Sequence, residues 1–228
     1  VMARAIVIGG GVGGLAAAIR LRGLGHDVTV LERNELLGGK LAVREREGHL
    51  FDLGPSLVTL PHLYEACFAT VGASLRDEID LVRLDPQFRY HWRDGSSLEV
   101  PDGPEQTAMA FEAFAPGAGA AWQRFAARAR DIWDVSERTF FAGPMANPLA
   151  LMRRMRSPMD LARIDPFTTL ADRARATFDD PRLAQWAGRY ATYSGSSPFE
   201  VPATLACIVH VESHFGAWYP MGGLGTLC

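Results

Sequence analysis

The N-terminal residues form an apolar run that leads directly into a cluster of glycines. Residues 5–8 read Ala-Ile-Val-Ile, and Gly9, Gly11 and Gly14 follow with G-x-G-x-x-G spacing. This order is typical of a strand, turn and helix that together cradle the pyrophosphate of a dinucleotide. Gly9 allows a sharp turn, Gly11 allows the backbone to approach a phosphate, and Gly14 lets the helix pack closely. The N-terminus of that helix carries unpaired N–H groups and partial positive charge, which suits an anion.

The second half of the pattern follows at the expected distance. The helix is predicted to end near Gly25, and a second strand covers residues 27–31 and stops at Glu32. A carboxylate there can accept hydrogen bonds from both hydroxyls of an adenosine ribose and repels a 2′-phosphate, which favours FAD or NAD over NADP. Two alternatives are an ordinary glycine-rich turn and a signal peptide within residues 5–19. The glycines and the second strand argue against a signal peptide.

Length and composition exclude several classes of protein. A chain of 228 residues can bury the core of one or two domains. Its formal net charge of −3 gives no reason to expect a nucleic-acid partner. Cys67, Cys207 and Cys228 form no CxxC pair, which favours reduced thiols in the cytoplasm. No apolar run reaches the ~18 residues that a membrane-spanning helix needs.

The middle of the chain predicts two hairpins. Residues 42–53 indicate one hairpin, and a short helix is expected over residues 61–71. The second hairpin has an aromatic face, because Phe88, Tyr90 and Trp92 alternate with polar residues ahead of an Asp-Gly turn. That face either packs on the core, which is the favoured interpretation, or forms the wall of a substrate cavity.

Two helices are predicted next. The first begins after Asp102, a candidate N-cap, and ends before Pro116. The second covers about residues 118–140. Its apolar residues recur at helical spacing and form a stripe on one face. The favoured interpretation is that this stripe faces the core, and the alternative is that it lines a ligand site. The stripe comprises Trp122, Phe125, Ala129, Ile132 and Trp133.

Residues 140–163 differ in composition from the rest of the chain. They combine phenylalanine, leucine and methionine side chains, among them Met145 and Leu151, with four arginines and a single acid, Asp160. A basic, apolar stretch broken by prolines can lie on a lipid headgroup layer. The alternative is a helical connection with solvated arginines, and the residues favour neither. The arginines are Arg153, Arg154, Arg156 and Arg163.

His210 and His214 are four residues apart, so a helix would place both imidazoles on one face. Glu212 lies between them, whereas the zinc-protease pattern needs a glutamate directly after the first histidine. A structural histidine pair is therefore favoured over a metal site. The residues identify no convincing catalytic base.

Several segments resemble the bacterial carotenoid desaturases, the phytoene-desaturase-like members of the amine-oxidase-like flavoproteins. The glycine turn, Glu32 and the Gly-Gly-Lys at 38–40 are shared with the wider flavoprotein group. Residues 193–198 and 217–223 are more specific and narrow the resemblance to the carotenoid desaturases. The matching segments are residues 7–15, 30–33, 38–40, 51–56, 193–198 and 217–223.

The resemblance implies FAD, a long apolar carotenoid substrate, and a cytoplasmic protein attached peripherally to a membrane surface. It places the glycine turn at the pyrophosphate and Glu32 at the ribose, with Arg33 along the adenosine. Lys40 stands where the family often has arginine, which keeps the charge but loses the planar fork. The implied site residues are Gly9, Gly11, Gly14, Glu32, Arg33, Gly39, Lys40, Gly54, Pro55 and Ser56, the last three near the flavin ring.

The implied fold is α/β: a Rossmann-like FAD-binding βαβ domain with an inserted α+β substrate domain. The expected division is residues 1–60 for the FAD-binding segment and 61–215 for the substrate-binding and membrane-facing region. Residues 216–228 are expected to begin the return of the chain into the FAD-binding domain. Family members are roughly twice as long, so the chain is expected to be an N-terminal fragment or a truncated gene product. Two other functions stay open: a non-catalytic prenyl-binding protein of the GDP-dissociation-inhibitor type, and an amine-oxidase-like flavoenzyme.

Overall fold

The computed structural model describes residues 1–141, 143 and 148–228. The chain divides into two compact units, which are described separately. The first comprises residues 1–84 and 217–228, and the second comprises residues 85–216.

The first unit begins with the βαβ arrangement that the sequence predicts. Strand β1 (Arg4–Ile8) pairs in parallel with β2 (Asp27–Leu31), and helix α1 (Val12–Gly23) connects them. Gly25, with a φ of 84°, lies just beyond the helix end, as expected for a C-terminal glycine. Residues 5–19 therefore form a strand, a turn and part of a helix, which is not the continuous apolar helix of a signal peptide.

The first unit continues with an antiparallel hairpin, as predicted, and two helices. Its buried core contains residues from both stretches of the chain that make up the unit. Leu41, Val58, Leu75 and Ile79 come from residues 1–84, and Leu224 and Leu227 come from residues 217–228. The elements are β3 (Val43–Arg46), β4 (His49–Asp52), α2 (Pro61–Ala69), α3 (Leu75–Glu78) and β5 (Leu81–Arg83).

The second unit opens with the aromatic hairpin, formed by β6 (Phe88–His91) and β7 (Ser97–Val100). Tyr90 pairs with Leu98 across the two antiparallel strands. The ring of Trp92 lies 5.2 Å, centroid to centroid, from that of Phe114 in the next helix. The hairpin face therefore packs on helical residues, which fits the favoured interpretation.

Helices make up the rest of the second unit. Phe111 and Phe125 are almost completely buried, and their rings lie 4.8 Å and 6.2 Å from that of Trp186. The predicted stripe of the long helix is buried throughout, so it faces the core. The helices are α4 (Pro104–Phe114), α5 (Ala118–Ser136), α6 (Pro148–Arg154), α7 (Pro158–Arg163), α8 (Leu170–Thr177), α9 (Pro181–Gly188) and α10 (Cys207–Phe215).

Three expectations need correction. The N-cap of α4 is Gly103, whereas the Asp102 carboxylate accepts a 2.8 Å hydrogen bond from Gln87 Nε2. Helix α5 ends four residues early, because residues 137–141 continue as a π-helical turn. Residues 61–84 belong with the first unit, because β5 pairs antiparallel with the returning strand β8 (Trp218–Pro220).

Candidate functional site

The glycine turn after β1 has the geometry that its spacing predicts. Gly9 adopts a φ of 103°, and its N–H donates a 2.8 Å hydrogen bond to the Leu31 carbonyl, which ties the turn to β2. A β-carbon at Gly14 would collide with the Gly9 carbonyl oxygen and would lie 3.5 Å from Val7 Cγ1. The absence of a side chain at Gly14 therefore lets α1 press against the turn and the strand.

The N-terminus of α1 is not covered by a capping side chain. Its N-cap is Gly11, which has none to offer. A β-carbon at Gly13, in the first helical turn, would meet no atom within 4 Å. First-turn N–H groups have no acceptor inside their own helix, and they carry the positive end of the helix dipole. This end of α1 can therefore hold an anion.

Glu32 lies at this turn and points toward it. Its Oε2 accepts a 2.7 Å hydrogen bond from the Gly10 N–H, and its Oε1 accepts bonds from Asn34 N (2.9 Å) and Asn34 Nδ2 (2.7 Å). The backbone donors of Asn34 and Gly10 lower the pKa of the Glu32 carboxyl. The carboxylate is therefore charged and held next to the N-terminus of α1.

The second glycine pair packs against the first turn. The N–H of Gly38 donates a 2.8 Å hydrogen bond to the Gly10 carbonyl. A β-carbon at Gly39 would lie 3.3 Å from the Cα of Gly11. Gly39 therefore lies beside the glycine turn, and the tight approach favours glycine at position 39, whereas a β-carbon at Gly11 would lie at an ordinary contact distance of 4.0 Å from Gly39 Cα.

A cavity of about 540 Å³ lies next to Glu32, and Arg33, Asn34 and Gly39 contribute to its wall. It coincides with the region where the resemblance places the adenosine. Leu37, which the motif does not identify, packs close to Gly10 and Glu32, so a side chain at Gly10 would clash with it.

Gly54 packs on Lys40. A β-carbon at Gly54 would collide with the Lys40 carbonyl oxygen, so these two predicted site residues are in contact through backbone atoms. Gly54, Pro55 and Ser56 are all exposed.

Asp52 binds the returning chain. Its Oδ2 accepts a 3.0 Å hydrogen bond from Tyr219 Oη, and its Oδ1 accepts a 2.8 Å bond from Leu224 N. From its place beside Gly54 and Pro55 in the sequence, Asp52 could support a turn or bind a cofactor. One of its oxygens bonds to β8 and the other to the segment that follows β8, so Asp52 supports the fold.

The second unit contains a larger cavity, about 980 Å³ in volume. Tyr90 and Trp92 of the aromatic hairpin line it, together with Phe178, Trp186 and Phe199 from the helical part. The hairpin therefore serves the core and a cavity wall at once, so the two interpretations of its aromatic face are compatible. Arg175, Asp179, Gln185 and Arg189 also line it, so the cavity combines aromatic walls with polar groups. A cavity of this size with aromatic walls fits a largely apolar ligand.

A buried carboxylate that the motifs missed organises this unit. Glu212, which is 2% exposed, accepts hydrogen bonds from Arg189 Nη2 (2.6 Å), Tyr190 Oη (2.9 Å) and Tyr193 Oη (2.6 Å). The Arg189 guanidinium also lies 4.2 Å from the ring centre of Phe88. Burial, the largest cause, and the nearby carboxylate raise the pKa of both tyrosines. Sequence analysis identified only Glu212 itself, midway between two histidines.

His210 and His214 do share a helix face. Their rings stack at 4.9 Å, and both contact Phe215. Burial is the main cause of the lowered pKa of His210, and His214 adds to it. The described residues contain no group of three side chains able to hold a metal ion.

The basic stretch is partly internal. Asp160 is buried and pairs with Arg138 at 2.7 Å, and Arg154 Nη1 donates to the carbonyls of Thr139 (2.9 Å) and Gly143 (3.1 Å). Met145 and the side chain of Leu151 lie outside the described residues. Large apolar side chains are nevertheless exposed here: Phe141, Leu149, Met152, Met159, Leu161 and Phe167. In the described part of the chain, no helix has the length and apolar character to cross a bilayer.

Three solved structures illustrate the likeness of fold. An oxidoreductase from Methanosarcina mazei matches with a TM-score of 0.60 and 20% identity, over 99% of this chain and 47% of that protein. Putrescine oxidase matches with a TM-score of 0.58 and 16% identity, over 99% and 47%. Rab GDI from Plasmodium falciparum matches with a TM-score of 0.50 and 13% identity, over 99% of this chain and 54% of that protein. At these identities the likeness shows the fold alone.

Curated relatives are similar over nearly the whole chain. The carotenoid 3,4-desaturase of Haloarcula japonica is 34% identical over 97% of this chain and 45% of that protein. The 4,4′-diapolycopene oxygenase of Methylomonas sp. is 33% identical over 97% and 44%. The 1-hydroxycarotenoid 3,4-desaturase of a Flavobacterium species is 32% identical over 98% and 46%. The chain thus spans about half the length of the curated relatives it matches.

A family assignment follows from the sequence profile and fits the site. The profile described as flavin-containing amine oxidoreductase matches residues 12–197, most of the chain. The uncapped helix N-terminus, the open space at Gly13 and the fixed Glu32 carboxylate suit the ADP half of FAD. The chain belongs to the flavin-containing amine oxidoreductase family.

Proposed function

We propose that this chain is the cofactor-binding and first substrate-binding part of an FAD-dependent carotenoid desaturase. The observation that carries the proposal is the fixed position of Glu32 at the turn that opens α1. It is joined by an aromatic cavity in the second unit and by relatives that are named for carotenoid chemistry.

In this proposal, the residues of this chain bind FAD and position it. The N–H groups at the start of α1 hold the diphosphate, Glu32 holds the ribose, and Arg33 lies along the adenosine. Gly39 and Lys40 flank the phosphates, and residues 54–56 approach the ring system. When bound, FAD supplies the acceptor for a hydride, and a proton leaves the neighbouring carbon as the new double bond forms.

Positioning should dominate the rate, because two carbons of a flexible polyene must be held in register. Tyr90, Trp92 and Phe178 offer rigid aromatic walls for this purpose.

We further propose that the substrate reaches the protein from a membrane surface. A long carotenoid is stored in lipid, and the exposed apolar side chains of residues 141–167 lie among arginines. Such a surface can insert its apolar groups while the arginines meet lipid phosphates. The protein would then act as a peripheral membrane enzyme on the cytoplasmic side.

The test is an assay of the protein expressed in full from its gene, with FAD and an acyclic carotenoid dispersed in vesicles. We expect one bound FAD per chain and a shift of the carotenoid absorbance to longer wavelength as conjugation grows. A protein that carries prenylated partners without flavin, as in the GDP-dissociation-inhibitor alternative, would stay colourless. Oxidation of a small amine instead of the carotenoid would support the amine-oxidase alternative.

A further inference from the structure

The carboxylate of Glu32 has little accepting capacity left for a ligand. Each carboxylate oxygen offers about two lone-pair sites. The backbone N–H and side-chain Nδ2 of Asn34 occupy both sites of Oε1, at 2.9 Å and 2.7 Å. The Gly10 N–H occupies one site of Oε2, at 2.7 Å. These three hydrogen bonds leave one site, on Oε2, for a donor from a bound molecule, and the Arg33 backbone N–H, which also lowers the pKa of the Glu32 carboxyl, reduces the free capacity further.

An adenosine ribose presents two neighbouring hydroxyls, so one of them needs another acceptor. Asn34 can provide it. Its amide must face Oε1 with the NH₂ group, because a carbonyl oxygen facing a carboxylate would be repelled. The geometry of a primary amide then keeps Asn34 Oδ1 within about 5 Å of Glu32 Oε1. Asn34 also lines the cavity beside Glu32.

We propose that Asn34 is a second ribose-recognition residue. Its Nδ2 fixes the carboxylate of Glu32 so that Oε2 receives one ribose hydroxyl, and its own Oδ1 receives the other. The inference rests on the FAD site proposed above. It differs from the motif-based expectation, in which Glu32 alone accepts both hydroxyls.

The test compares Asn34→Ala with the unmodified protein, using FAD and two FAD analogues whose adenosine lacks the 2′- or the 3′-hydroxyl. Dissociation constants come from the quenching of flavin fluorescence. We expect Asn34→Ala to weaken FAD binding about tenfold, from the lost hydrogen bond to the ribose together with a less firmly held Glu32 carboxylate. With the analogue that lacks the hydroxyl recognised by Asn34, the loss should be clearly smaller, because only the effect through Glu32 remains.

Asn34 is exposed, so the variant should fold with unchanged thermal stability, and Glu45→Ala on the exposed side of β3 serves as the matched control. An equal loss with FAD and both analogues would overturn the proposal, since Asn34 would then act through Glu32 alone. Unchanged FAD binding by Asn34→Ala would also overturn it. If the unmodified protein binds no FAD, the proposed function fails first, and this inference falls with it.

Discussion

Glu32 Oε2 accepts a 2.7 Å hydrogen bond from the backbone N–H of Gly10, across 22 residues of sequence. The bond joins the end of β2 to the turn that follows β1. It places a negative charge beside the N-terminus of α1 and leaves the first turn of that helix open to a diphosphate. The glycine motif and the acid thus form one structural unit, and changes in either should alter cofactor binding.

Reversing the charge of Glu32 should abolish flavin retention. In Glu32→Arg the ribose loses its acceptor, and the Gly10 N–H loses its partner. We expect purified Glu32→Arg to contain less than about a tenth of the flavin that the unmodified protein holds. Flavin released by denaturation and measured by absorbance gives the occupancy.

Glu45→Arg is the charge-matched control, because Glu45 lies on β3 and is exposed. It should retain full flavin content. Equal occupancy in Glu32→Arg and the unmodified protein would remove Glu32 from the ribose site.

Two neighbouring glycines should respond differently to alanine. Gly14→Ala forces a methyl group into the Gly9 carbonyl, so we expect a loss of about 1–3 kcal/mol in the free energy of unfolding. Gly13→Ala meets no atom within 4 Å and should stay within about 1 kcal/mol of the unmodified protein, on the stabilising side. Urea unfolding measures both, and equal stabilities would contradict the packing described for α1.

Removing the charge of Glu212 should destabilise the second unit. Glu212→Gln leaves the Arg189 guanidinium, whose side chain is 22% exposed, without its charged partner. We expect a loss of about 3 kcal/mol in the free energy of unfolding, near the lower end for a broken buried pair. The exposed Glu200→Gln is the control and should change stability by less than about 0.5 kcal/mol. A similar effect of both substitutions would mean that the Glu212 cluster contributes nothing specific.

The tyrosines of the folded protein should not ionise near their ordinary pKa of about 10. Burial raises the pKa of Tyr90 to about 12, and burial is also the largest cause of the raised pKa of the other four. The unfolded chain releases these protons at about pH 10, so stability is fully present below that pH and falls as pH rises toward 12. Ultraviolet absorbance of phenolate should be lower in the folded than in the unfolded protein at pH 10 and should rise further on unfolding. An early rise accounting for all five tyrosines would contradict the burial of these phenols.

Membrane binding should depend on the exposed apolar residues of the second unit. Phe167 is 89% exposed and Met152 is 67% exposed. Phe167→Asp and Met152→Asp should each lower the fraction bound to anionic vesicles several-fold, because a charge replaces an inserting apolar group. Leu24→Asp, at a 75% exposed position of the first unit, should bind as the unmodified protein does. Sedimentation with vesicles measures the fractions, and equal binding by all four proteins would place the membrane contact elsewhere.

The βαβ unit could be predicted almost residue by residue, because its signals are local. The apolar run of β1, the glycines of the turn and the acid after β2 each act within a few residues of their own position. The aromatic hairpin was equally accessible, since Phe88, Tyr90 and Trp92 repeat with the period of a strand.

The contacts between distant segments could not be predicted in the same way. Asp52 and Tyr219 are separated by 167 residues, and the pairing of β5 with β8 moved a domain boundary by more than twenty residues. The Glu212 cluster depends on how α10 packs against residues 189–193, which no local pattern encodes. The N-cap of α4 shifted from Asp102 because Gln87 takes up that carboxylate.

The stoichiometry of FAD in the purified protein, with ADP as a competitor, is the most direct test of the dinucleotide site. We expect one FAD per chain, displaced by excess ADP, because the N-terminus of α1 and Glu32 bind the ADP half of the cofactor. A protein that binds neither FAD nor ADP would contradict the assignment of the glycine turn and Glu32 as a cofactor site.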